Sequence, residues 1–103
     1  MKNIKIFGSI PAIVTPFKKN GDLDLPALES LVKYQIDGGV DAIVVAGSTG
    51  EAATLNDEEY FIVIQKVVEF IKKAHRKIPV IAGAGSNDTK KAIHFSKIAK
   101  SAG

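Results

Sequence analysis

Two neighbouring hydroxyls, Ser48 and Thr49, stand between Gly47 and Gly50 and directly ahead of Glu51. Glycines on both sides leave the backbone free to take positive φ, which brings amides and hydroxyls together around a small anion. A carboxylate or a phosphate fits such a seat. The same four residues also read as a plain turn whose hydroxyls bond their own backbone. The motif alone leaves both readings open, and its surroundings must separate them.

Other chemistry is sparse. Cys is absent, so there is no disulfide frame, thiolate nucleophile or thiolate metal site, which fits a reducing cytoplasm. His75 and His94 are isolated on helical stretches and read as surface residues. The net charge of +3 is spread over helical faces with few aromatics among the lysines, the pattern of a solvated surface rather than of a nucleic-acid footprint. Met1-Lys2-Asn3-Ile4-Lys5 starts positively, but no long apolar run follows, so neither a signal peptide nor a membrane span is expected.

The hydroxyl pair needs a frame, and the chain supplies a regular one. Ile10 to Val14 is an apolar run closed by Thr15-Pro16, a first strand. Asp24 ahead of Leu25-Pro26 marks a helix start, Leu28, Leu31, Val32, Gln35 and Ile36 follow at helical spacing, and Gly38-Gly39 supplies a left-handed stop. Ala42 to Ala46 is a second strand, apolar without alternation and therefore suited to burial on both faces. Asn56 with Glu59 three residues on approximates a capping box. Tyr60, Val63, Ile64, Val67, Ile71 and Ala74 then make one stripe, and the basic cluster Lys72 to Lys77 suits a helix carboxyl end. Val80 to Gly85 is a third strand, and Asn87 or Asp88 caps a third helix through Ala92, Phe95, Ala99 and Ala102.

Strand and helix alternate three times, and a hydroxyl, glycine or amide cluster follows every strand. This is an α/β pattern with a parallel sheet, whose ligand sites lie at the carboxyl ends of strands. A repeat of about 35 residues approximates one eighth of a (β/α)8, or TIM, barrel. Residues 1–103 are thus expected to be the first three βα units of one TIM-barrel domain, incomplete because three strands cannot close a cylinder.

Gly47-Ser48-Thr49-Gly50-Glu51, then Ala53-Thr54-Leu55-Asn56, then Ile78 to Asn87, preceded by Ala12-Ile13-Val14-Thr15-Pro16-Phe17, resemble the pyruvate-dependent class I aldolases, the family of dihydrodipicolinate synthase and N-acetylneuraminate lyase. The resemblance covers the whole chain but about the first third of a family member. It implies a TIM barrel that condenses pyruvate with aspartate semialdehyde through a lysine Schiff base in lysine and diaminopimelate synthesis, with no metal or organic cofactor, as a homotetramer or homodimer. It also implies that Thr49 and its backbone hold the pyruvate carboxylate while Ser48 relays protons. Gly47, Gly50 and Glu51 are then loop support. Ser48, where synthases commonly carry threonine, leans toward the lyases, whereas Ala53-Thr54-Leu55 and Ala82 to Asn87 lean toward the synthases.

Two departures carry expectations. Lysine-inhibited synthases have a histidine at the position of Tyr60 and a glutamate at that of Lys91, so a cation at Lys91 implies a parent enzyme that lysine inhibits weakly or not at all. The Schiff-base lysine and catalytic tyrosines of the family belong to positions beyond Gly103, so the 103-residue chain alone is expected to be inactive. Sugar-acid aldolases of the same chemistry remain alternatives, and so do a phosphate-binding module and a fragment that self-associates through bare strand edges. No Gly-Lys-Ser/Thr or Gly-x-Gly-x-x-Gly supports the phosphate module.

Overall fold

The computed structural model describes residues 4–103; the positive start at Met1 to Asn3 lies outside them. The elements run α1 (Leu25–Asp37), β1 (Ile43–Val45), a 3-10 turn (Ala52–Thr54), α2 (Asp57–Lys73), β2 (Val80–Ala82) and α3 (Thr89–Ser101).

Each helix begins where its first free amides find a side-chain acceptor. Asp24 accepts from Ala27 N at 3.1 Å, and Pro26 sits inside the first turn, where its missing N–H costs nothing. Asn56 accepts from Glu59 N at 2.8 Å while Glu59 accepts from Asn56 N at 3.0 Å, a complete capping box. Asp88, rather than Asn87, caps α3 by accepting from Lys90 N. At the end of α1 only the second glycine is left-handed: Gly39, at φ +84, donates to Ile36 O, and Val40 N reaches Gln35 O.

β1 and β2 pair in parallel with Ile43, Val44 and Val45 opposite Val80, Ile81 and Ala82. The expected first strand is shorter than the run Ile10 to Val14. It makes one parallel bridge, Ala12 to Val44, held by Ile13 N donating to Val44 O at 3.0 Å and Val44 N donating to Pro11 O at 2.9 Å. Pro11 has no N–H to extend that ladder backwards, and Ala46 turns out of it at φ +54. The same turn ends β1 one residue before the expected Ala46, and β2 stops at Ala82, short of the expected Gly85. The three segments still lie side by side in chain order.

The helices cover one face of this sheet. Ile13, Ile43 and Val45 are buried against Leu28, Val32 and Ile36 of α1 and Tyr60, Val63, Ile64, Val67 and Ile71 of α2. Ala74, expected in the α2 stripe, is instead the exposed cap residue beyond its last turn. The opposite face is open: Val14 is 51% exposed, Ala12 is exposed, and Val44 and Ile81 are half-buried. Strands that are apolar on both faces are thus covered on one, as the first units of an unclosed barrel would be.

The capping box ties α2 to the loop that carries the hydroxyl pair. Asn56→Ala is expected to lower unfolding free energy by about 1 kcal/mol, and Asn56→Asp, which keeps the acceptor, by much less; urea titration of both variants measures the difference.

Candidate functional site at the strand tips

β1 hands the chain to a tight turn. Gly50 N donates to Gly47 O at 3.1 Å, Glu51 N to Ser48 O at 3.1 Å, and Ala52 N to Gly47 O at 3.3 Å. The next turn is closed by Thr54, whose N–H and hydroxyl both donate to Glu51 O at 2.9 Å. Ser48 and Thr49 form the exposed apex of this hook. Among the described residues neither hydroxyl makes a hydrogen bond, and the N–H groups of Gly47, Ser48 and Thr49 have no protein acceptor. The turn reading required those hydroxyls to bond their own backbone, and they do not. Five donors therefore lie at one strand tip without a protein acceptor among the described residues, as at the start of a helix.

The glycines act differently from the expectation. Neither Gly47 nor Gly50 has positive φ; the left-handed residues are Ala46 at +54 and Glu51 at +58, one on each side of the hook. Gly50 supplies room instead. It is buried, and a Cβ on it would lie 3.1 Å from Thr15 Oγ1 and 3.2 Å from Ala46 N. Glu51 is exposed, and its carboxylate makes no capping bond. Glu51 thus shapes the hook through its backbone.

Sequence reasoning missed three residues that hold the hook in place. The Thr15 hydroxyl, from the first strand, donates to Gly50 O at 2.6 Å. Gly83, at the tip of β2, donates to Val45 O at 2.8 Å and comes so close that a Cβ on it would sit 2.8 Å from Gly47 Cα. The Tyr60 hydroxyl donates to Gly83 O at 2.7 Å. None of these has a local signature, since each partner is 23 or more residues away. All three strand tips thus meet at one rim, with Ser48 and Thr49 on it.

A cavity of about 710 Å3 opens beside the hook, walled by Ser48, Glu51, Tyr60, Gly83, Lys91 and Phe95. Ser48 reaches it; Thr49, at the outer side of the apex, does not line it. The Tyr60 ring packs 5.2 Å from that of Phe95. His94 is exposed as expected but not isolated, because Nε2 lies 2.6 Å from Asp57 Oδ2 and joins α3 to the first turn of α2. No three His, Asp or Glu side chains converge as a metal site among the described residues, and no described helix is long and apolar enough to cross a membrane.

Burial pushes the Tyr60 phenol above its ordinary pKa of 10.0. The folded chain therefore keeps that proton at a pH where the unfolded chain has lost it, so the stability this group contributes is full below pH 10 and falls as pH rises through the folded pKa. Tyr60→Phe is expected to blunt this alkaline loss while costing about 1 kcal/mol at neutral pH for the bond to Gly83. Urea midpoints at pH 7 and above pH 10 for both proteins test it.

Comparison with known proteins agrees with this layout. The sequence model of the dihydrodipicolinate synthetase family matches residues 5–103. The 4-hydroxy-tetrahydrodipicolinate synthase of Nitrosospira multiformis is 47% identical over 103 residues, which are all of this chain and 33% of that protein. That of Geotalea uraniireducens is 55% identical over 93% of this chain and 32% of its own. The chain thus spans about a third of the length of the curated relatives it matches. Among solved structures, the chloride-inhibited dihydrodipicolinate synthase from Acinetobacter baumannii, complexed with pyruvate, superposes with a TM-score of 0.89 at 46% identity, covering 96% of this chain and 33% of that one. Dihydrodipicolinate synthase DapA-2 from Bacillus anthracis gives 0.86 at 44% identity, over 97% of this chain and 34% of that one. These neighbours are TIM-barrel enzymes, and the arrangement of parallel strand tips and outer helices described above is a three-unit portion of that barrel. The chain belongs to the dihydrodipicolinate synthetase family.

Proposed function

We propose that this chain supplies the keto-acid seat of a 4-hydroxy-tetrahydrodipicolinate synthase, the enzyme that condenses pyruvate with aspartate semialdehyde. One observation carries the reading: Ser48 and Thr49 are exposed on the rim where all three strand tips end, and their hydroxyls and the amides of residues 47–49 are unpartnered among the described residues. The solved relative from Acinetobacter baumannii holds pyruvate, and pyruvate carries the one charge such a donor set would select. Thr49 Oγ1 and the amides donate to its carboxylate, fixed in place and so without reorganisation cost. Ser48 both accepts and donates, so it passes a proton along a hydroxyl chain without itself becoming charged.

The amine that attacks the keto carbon must come from outside this chain. Lys18 and Lys19 follow the first strand but are exposed, not set in the apolar pocket that a Schiff-base amine needs. The seat is therefore half of a site whose other half is a buried lysine on a later strand of the complete barrel. The complete enzyme is read as a cytoplasmic homo-oligomer in lysine and diaminopimelate synthesis, using neither metal nor organic cofactor. The relatives cited above are synthases at 44–55% identity, which favours this over a neuraminate or sugar-acid lyase and over a phosphate module.

In the full-length enzyme, Thr49→Val is expected to raise the pyruvate KM by about tenfold or more, and Ser48→Ala to lower kcat by roughly 100-fold, the usual size of a lost proton-transfer group. Borohydride should trap pyruvate on the full-length enzyme and none on residues 1–103 alone; an adduct on the short chain would overturn the assignment of the amine. A second expectation concerns the neighbouring cavity. Lys91 on its wall repels the ε-ammonium of lysine, so sub-millimolar lysine should leave activity largely intact.

A further inference from the structure

The first strand touches the sheet through a single bridge, yet it delivers one buried polar side chain to the hook. Thr15 is 5% exposed, and its hydroxyl donates to Gly50 O at 2.6 Å across 35 residues of chain. Gly50 is buried as well, immediately after Thr49, and its own N–H closes the turn onto Gly47 O. The upstream end of the hook is anchored by β1 through the bond from Gly83 N to Val45 O. Its downstream end, at Gly50 just before the left-handed Glu51 and the 3-10 turn, has Thr15 as its side-chain anchor. Room for that anchor exists because position 50 has no Cβ.

We infer that Thr15 is a positioning residue for the keto acid: by holding the Gly50 carbonyl it fixes the Gly50–Glu51 peptide just downstream of Thr49 and so, through Gly50, the direction in which Thr49 presents its donors. The inference rests on reading Ser48 and Thr49 as the carboxylate seat. Thr15 touches no substrate. Replacing its hydroxyl by a methyl leaves the Gly50 oxygen buried and without a donor, and a carbonyl in that state rotates toward water. Thr49 is carried with it, whereas groups elsewhere on the rim stay where they are. The loss therefore falls on the keto acid and not on its aldehyde partner.

The test is steady-state kinetics of the full-length enzyme as wild type, Thr15→Val, Thr15→Ser and Thr49→Val, with both substrates varied. Thr15→Val is expected to raise the pyruvate KM about tenfold, equivalent to about 1.4 kcal/mol, with the aldehyde KM within about twofold of wild type. Thr15→Ser, which keeps the donor, should restore the pyruvate KM. A residue that serves stability alone would lower the melting temperature and move neither KM. Should Thr15→Val not fold, Thr15→Ala leaves space for a water at Gly50 O and carries the same comparison. An unchanged pyruvate KM in the folded Thr15 variant, alongside a raised one in Thr49→Val, overturns the positioning role and keeps the seat. If Thr49→Val also leaves the pyruvate KM unmoved, the seat itself is wrong and the role of Thr15 falls with it.

Discussion

The close approach of Gly83 to the turn after β1 is the constraint on which the rest of the structure depends. Parallel strands normally separate at their tips as each loop leaves for its helix. Here the separation is prevented by a backbone bond from Gly83 N to Val45 O and a side-chain bond from Tyr60 to Gly83 O. A side chain at position 83 would meet the Ala46 carbonyl and Gly47 Cα, so the contact is backbone on backbone and has little freedom to slide. Tyr60 extends the same contact into α2, whose first turn is fixed by the Asn56 and Glu59 box. Loop, helix and neighbouring strand are thereby one unit.

That unit explains why a strained loop persists. Ala46 and Glu51 both sit in the left-handed region, where a residue with a Cβ costs roughly 1–2 kcal/mol. Such conformations survive when their surroundings over-determine them, and they gather at sites of function. The surroundings here are specific: Val45 is fully buried and held by Gly83, and Thr15 holds Gly50.

Much of this architecture is legible in the chain before any coordinates. Caps at Asp24 and Asn56 and the apolar stripes of α1 and α2 are local signals, and a local signal is read with few residues. Strand ends were less readable because they depend on partners: Pro11 removes one ladder bond and Ala46 leaves the sheet, and neither effect is visible in an apolar run. The hydroxyl pair is proposed as a site from residue type alone, and the positive φ expected of its glycines is not found. Gly50 provides space for Thr15, not a positive φ, and that role is defined by a residue 35 positions away. Long-range bonds to backbone carbonyls, such as those of Thr15 and Tyr60, leave no pattern in sequence at all.

The open face of the sheet and the unpartnered seat have one physical origin. Residues alternate across a strand, so the side chains that point away from the helices, Ala12, Val14, Val44 and Ile81, point together toward the interior that a closed barrel would fill. The proposed keto-acid seat stands at the mouth of that same interior. A carboxylate held there by hydroxyls and amides in open water gains little, because water competes for every donor. Enclosed by further strands, the same donors act in a lower dielectric and a neighbouring amine loses its proton more readily. On the proposed reading the donors are built by these three units, while the low dielectric that gives them their strength comes from the further strands that close the barrel in the solved relatives. Seat and environment are separable in sequence but not in chemistry.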